Sequence, residues 1–189
     1  NGTSTIEAKG EVLDELREMA SRTPFDERGN ENIKLTDISR ALVLDYLQAV
    51  NSRLVADFEK LSLLEILSQM DLMVGPAESQ LVKNVAAMMF CKNPAKFFPT
   101  TQVDIVIFPE GCVKNPNNMI EVPKIVGTVP DMIKQALDYI KTNVIKKRII
   151  KQKDKAESIT FFNYPYQAIE ESVVNASYLR DYQEREPVE

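Results

Sequence analysis

The sequence predicts an α+β fold, with a helical first half and a mixed helix-and-strand second half. Three observations carry this. Apolar residues recur at three- and four-residue spacing over residues 36–51 and again after Pro130, the period of an amphipathic helix. Short β-branched runs, Val103-Asp104-Ile105-Val106-Ile107-Phe108 and residues 120–126, read as strands. Helices and strands do not alternate strictly, and that pattern fits α+β rather than a wound parallel sheet.

Taken in order, residues 1–10 are small and polar, without an apolar period. Residues 11–20 fit a short helix with Val12, Leu13, Leu16 and Met19 on one side. Residues 21–32 contain Pro24 and Gly29 among several charges and read as a linker. Thr36 is the expected N-cap of a helix running to about residue 51, with Ile38, Ala41, Leu42, Tyr46 and Ala49 in its apolar period. Ser62 caps a second helix over residues 63–70, and Glu65 three positions on completes a capping box. Gly75-Pro76 breaks the chain. Residues 81–90 are apolar almost throughout and must be buried; their alanines and methionines favour a helix.

After the strand at residues 103–108, residues 111–118 form a loop. The strand at 120–126 is interrupted by Pro123, which cannot donate to a ladder, so it is expected at an edge or with a bulge. Pro130 opens the strongest helix, with Ile133, Ala136, Leu137, Ile140 and Val144 on its apolar face. Residues 146–150 and 158–162 form two strands around a lysine-rich turn. Pro165 opens a last helix that turns Ala168, Ile169, Ser172, Val173 and Ala176 inward.

Composition excludes several functions. The 189 residues are 44% hydrophobic, enough to bury a core without metal or disulfide staples. The net charge of -5 argues against bulk nucleic-acid binding, which needs a positive surface. The basic run Lys141, Lys146, Lys147, Arg148, Lys151, Lys153 and Lys155 lacks interleaved aromatics and reads as the solvated side of a hairpin. No apolar run reaches the roughly 18 residues of a membrane span. Cys91 reads as a core residue and Cys112 as a loop thiol, both free in a reducing cytoplasm. With no histidine in the chain, neither a histidine-based nucleophile system nor an HExxH zinc site can form. There is no GxxxxGK[ST] loop. Met70, Met73, Met88 and Met89 read as core packing, and Asp71, Glu78, Asp104 and Glu110 show no ligand spacing.

The candidate chemistry lies in the last helix. Glu171 and Asn175 are one turn apart and share a helix face. An amide oxygen can ligate Mg²⁺ between phosphates, and a carboxylate can orient or deprotonate the attacking water. By itself this spacing is common in solvated helices.

The surrounding residues add to it. Tyr164-Pro165, Glu171, Asn175-Ala176 and Arg180-Asp181-Tyr182 resemble the first helix of the GHKL-type ATPase domain found in RecG-related, Schlafen-AlbA-containing transcriptional regulators. Leu179 stands where that family has histidine. Upstream, Phe90-Cys91-Lys92-Asn93-Pro94 with Phe97-Phe98-Pro99, the following strand, Thr23-Pro24-Phe25-Asp26, and Asn1-Gly2-Thr3-Ser4-Thr5 are similar to family segments in the same order.

The resemblance implies three parts. Residues 1–34 are the tail of an upstream AlbA-like DNA-binding domain and a linker. Residues 35–158 are an α+β connector domain. Residues 159–189 are the first segment of a truncated GHKL-like ATPase domain. It further implies a cytoplasmic regulator that binds DNA through the upstream domain, responds to Mg-ATP, and forms a homodimer. Glu171 is then the catalytic carboxylate and Asn175 the cofactor-binding amide of an incomplete site, and residues 1–189 hold no cofactor and turn over no ATP unaided. Two other uses are open: a protein-interaction or dimerisation module without a nucleotide role, and a winged-helix-like DNA-binding set of helices within residues 36–90.

Overall fold

The computed structural model describes residues 9–10, 12–13, 17, 23–151, 158–180 and 182. It is an α+β fold of helices and small antiparallel sheets. Val12, Leu13 and Arg17 have helical backbone; the rest of the helix expected over residues 11–20 lies outside the described residues.

The first half is built around a three-stranded sheet. Strands β1 (Gly29–Asn30), β2 (Met73–Val74) and β3 (Leu81–Lys83) pair antiparallel in the order β1-β3-β2. Residues 29–30 were expected in a linker; instead Gly29 pairs with Lys83 and Asn30 with Val82. Glycine is required there by space, because a Cβ would lie 2.6 Å from Val74 Cγ1 and 2.8 Å from Leu81 Cβ. Helices α1 (Arg40–Ala49), α2 (Leu63–Gln69) and α3 (Asn84–Phe90) enclose one core. At its centre Val43, Ile66, Leu67, Ala86 and Ala87 are fully buried. Cys91, Met73 and Met88 belong to the same core, as expected.

Local sequence explains the helix starts only in part. The α2 capping box is formed: Glu65 N–H donates to Ser62 Oγ at 3.2 Å, and Ser62 N–H donates to Glu65 Oε2 at 2.7 Å. For α1 the expected cap, Thr36, lies in a 3₁₀ turn, and Ser39 is the N-cap. A tertiary bond decides this, since Ser39 N–H donates to Phe90 O at 2.8 Å. Residues 81–90 divide into β3 and α3 rather than forming one helix. Their uniform apolarity gave no period at which to place the switch.

The second half starts with a bulged hairpin. Strands β4 (Gln102–Val103) and β5 (Val106–Ile107) face β7 (Ile125–Val126) and β6 (Ile120–Glu121), respectively. Val103 pairs with Ile125 and Val106 with Glu121. Residues 104–105 therefore face residues 122–124, one more than their own number, and Pro123 lies in the extra stretch. The expected continuous strand at 103–108 is split for the same reason.

Helix α4 (Val129–Asn143) opens at Thr128, whose Oγ1 accepts from Asp131 N–H at 3.2 Å. It buries Met132, Ala136 and Leu137. Met132, Ala136 and Ile125 form a second, smaller core with Val103, Ile105 and Val173 against it. Strands β8 (Lys147–Lys151) and β9 (Ser158–Phe162) form the expected hairpin; its turn lies outside the described residues. Helix α5 (Tyr166–Leu179) packs along α4. Among the described residues no helix is long and apolar enough to cross a membrane.

Candidate functional site

Helix α5 presents two opposite faces. Tyr166, Ile169, Val173, Ala176 and Ser177 are half-buried. These positions recur every three or four residues and form one stripe. Glu171 and Asn175 lie about 180° round the helix from that stripe, at about 100° per residue. Both are exposed, so neither turns inward. Ala168 and Ser172, also expected inside, are exposed too. Among the described residues neither Glu171 nor Asn175 has a hydrogen-bond or ion-pair partner.

The outer face is rimmed by apolar side chains. Val174 is 38% exposed, Tyr178 83% and Leu179 76%. Elsewhere, the β8–β9 hairpin exposes Ile149, Phe161 and Phe162, and Tyr164 after it is exposed too. Lys141, Lys146, Lys147 and Arg148 are exposed nearby in sequence. Register places Arg148 opposite Phe161 and Lys147 opposite Phe162, so cations and aromatic residues are cross-strand neighbours. Linear sequence hid that pairing, because the partners are thirteen or more residues apart.

The inner face closes a cavity of about 610 Å³ against α4 and the bulged hairpin. Val103, Ile105, Met132, Ala136, Val173 and Ala176 give it apolar walls. Gln102, Asp104, Lys124 and Arg180 supply its polar rim. Gln102 Nε2 donates to Asp104 Oδ2 at 2.8 Å. Ser177 Oγ donates to Val173 O at 2.8 Å, and Tyr182 OH to Ser177 O at 2.8 Å. Burial raises the Tyr182 hydroxyl above the ordinary phenol range. Among the described residues Arg180 Nε is enclosed and has no hydrogen-bond partner. No residue spacing in the sequence marks this cavity. Its walls come from three distant segments, and no local signal joins them.

A second polar cluster holds the segment around Phe25. Lys83, 5% exposed, meets Glu27 at 2.6 Å and Asp71 at 3.0 Å. The hydrogen bond with Glu27 leads in raising its ammonium above the ordinary lysine range. Asn84, 4% exposed, donates through Nδ2 to Phe25 O at 2.8 Å and accepts from Asn30 Nδ2 at 3.0 Å. These contacts are structural; they fix residues 25–30 to the core.

A DNA-binding use of residues 36–90 would need exposed cations, and the outer face of α2 offers none. That face presents Leu64, Glu65, Ser68 and Gln69. Among the described residues no group of three or more acidic or cysteine side chains is placed to hold a metal ion.

Compared with family models, curated proteins and solved structures, the chain matches none.

Proposed function

We propose that this chain is the connector of an ATP-responsive, DNA-binding transcriptional regulator. On this reading α5 opens a GHKL-like nucleotide domain, and its outer face is one wall of the Mg-ATP site. The observation that carries it is the outer face itself. A carboxylate and an amide one turn apart stand exposed within an apolar rim of Val174, Tyr178 and Leu179. Exposed apolar surface of this kind marks a place that another element covers. Asn175 and Glu171 offer the hard oxygen donors that Mg²⁺ takes. They fit as one wall. Asn175 would give its amide oxygen to the metal between phosphates, and Glu171 would orient or deprotonate the attacking water. Neither can close a site from a single helix face, so residues 1–189 turn over no ATP unaided. DNA contact belongs to the AlbA-like domain, and the regulator works as a cytoplasmic homodimer.

The test is Mg-ATP binding and hydrolysis by the longer protein that carries this segment, beside Glu171→Ala and Asn175→Ala. Loss of turnover in both variants, with folding intact, supports the reading. A longer protein that neither binds nor hydrolyses ATP removes it. A second reading, a protein-interaction or dimerisation module, is favoured by the same apolar rim together with Ile149, Phe161 and Phe162. It gains if Tyr178→Ser with Leu179→Ser abolishes self-association while ATP has no effect.

A further inference from the structure

We propose that the cavity between α4, α5 and the bulged hairpin is a binding site for a small molecule with an apolar body and one oxyanion, a carboxylate or a phosphate. This does not rest on the nucleotide reading, because the cavity lies on the opposite face of α5 from Glu171 and Asn175.

Volume and lining come first. About 610 Å³ is within the range of small-molecule sites, and the walls are mostly apolar with a few converging polar groups. The charge pattern comes second. Of the charged lining residues, Lys124 and Arg180 are cations and Asp104 is the carboxylate. Asp104 already accepts from Gln102 at 2.8 Å. The third observation is what remains unused. The hydroxyls of Thr100, Ser177 and Tyr182 all donate to backbone carbonyls. Among the described residues Arg180 Nε is enclosed and has no acceptor, while its guanidinium lies 5.5 Å from the Tyr182 ring centroid. An enclosed donor without an acceptor is costly, and most such groups in folded proteins have a partner. A guanidinium also cannot relieve the cost by losing its proton, and its planar fork suits a carboxylate or phosphate. The geometry therefore asks for an oxyanion at Arg180, with the attached apolar body over Met132, Ala136 and Val173.

The chain contains seven methionines, and among the described residues Met132 is the one that lines this cavity. Its methyl group is thus a local reporter. The experiment is an NMR titration of the full chain, carrying ¹³C-methyl methionine, with octanoate, octyl phosphate and neutral octanol. Saturable movement of the Met132 signal is expected with one or both anions, and binding of octanol at least about tenfold weaker. The two anions distinguish a carboxylate from a phosphate preference. Arg180→Gln should bring the anions down to the octanol level. Ala176→Leu, which fills the cavity from a half-exposed helix position, should abolish the response to all three.

Octanol binding as tightly as both anions would overturn the proposal, as would a Met132 signal that does not move. So would an Arg180→Gln protein that folds and keeps the anion preference. If Arg180→Gln does not fold, the three-probe comparison in the unaltered chain decides by itself.

Discussion

Replacing Asn84 by alanine should release residues 25–30 from the core. The side chain donates to Phe25 O at 2.8 Å and accepts from Asn30 Nδ2 at 3.0 Å. Two backbone bonds would survive the change, Asn84 N–H to Arg28 O at 2.9 Å and Val85 N–H to Asp26 O at 3.0 Å. Two side-chain bonds at about 0.5–1.5 kcal/mol each give a loss of about 1–3 kcal/mol. Phe25 and Asn30 are half-buried, so water can reach part of the stranded groups, which places the expected loss near the middle of that range. With a urea slope of about 2 kcal/mol/M, a 2 kcal/mol loss moves the midpoint down by about 1 M. Urea unfolding measures the total, and amide hydrogen exchange of residues 25–30 measures where it falls. Those amides should exchange faster while α1 and α2 keep their protection. A midpoint shift below about 0.25 M with unchanged exchange in residues 25–30 would refute the clamp.

Four further outcomes follow from the geometry. Ser62→Ala should cost about 1 kcal/mol in urea unfolding, since it removes the acceptor for Glu65 N–H. Hydrogen bonds from Ser62, the side-chain one first, hold the Glu65 carboxyl below its ordinary range. Its stabilising effect is therefore full above the unfolded value of about 4.3 and is lost as pH falls through the lower folded value; stability curves of Glu65→Gln and the unaltered chain should converge in that acid window. Ile66→Ala, at a fully buried position, should cost about 2–5 kcal/mol by the same assay. Tyr178→Ser and Leu179→Ser, at exposed sites, should each change stability by less than about 0.5 kcal/mol, and a larger loss in thermal or urea unfolding would mean that the outer face of α5 is already covered within the chain.

Short-range devices were legible in the sequence. The Ser62–Glu65 box, the break at Pro123, the helix start near Pro130 and the hairpin at 147–162 all depend on residues a few positions apart or on a two-residue alternation. What failed depended on tertiary partners. Ser39 rather than Thr36 starts α1 because Phe90 O is there to accept its N–H. Gly29 and Asn30 become a strand because β3 needs an edge partner. The spacing put Glu171 and Asn175 on one helix face, but it could not say which face packs. That was decided by the stripe of Ile169, Val173, Ala176 and Ser177 against α4 and the hairpin. The cavity was illegible for a related reason: Val103, Met132 and Val173 come from separate segments that meet through the fold alone.

Tyr182 closes a long loop. It is 9% exposed, belongs to the first core beside Phe98, and its carbonyl accepts from Thr100 Oγ1, 82 residues earlier, at 3.5 Å. With synthesis running at about 5–20 residues per second, the ring arrives roughly 4–16 s after its seat has been made. Helices α1 to α3 can condense long before then, but the Tyr182 side of the gap that Phe25, Phe98, Pro99 and Thr100 also line stays open throughout that interval. The nascent chain thus carries a timed vulnerability, an aromatic gap whose lifetime is set by the pace of the ribosome, and slowing translation between residues 101 and 182 would lengthen the exposure to proteases and holdases.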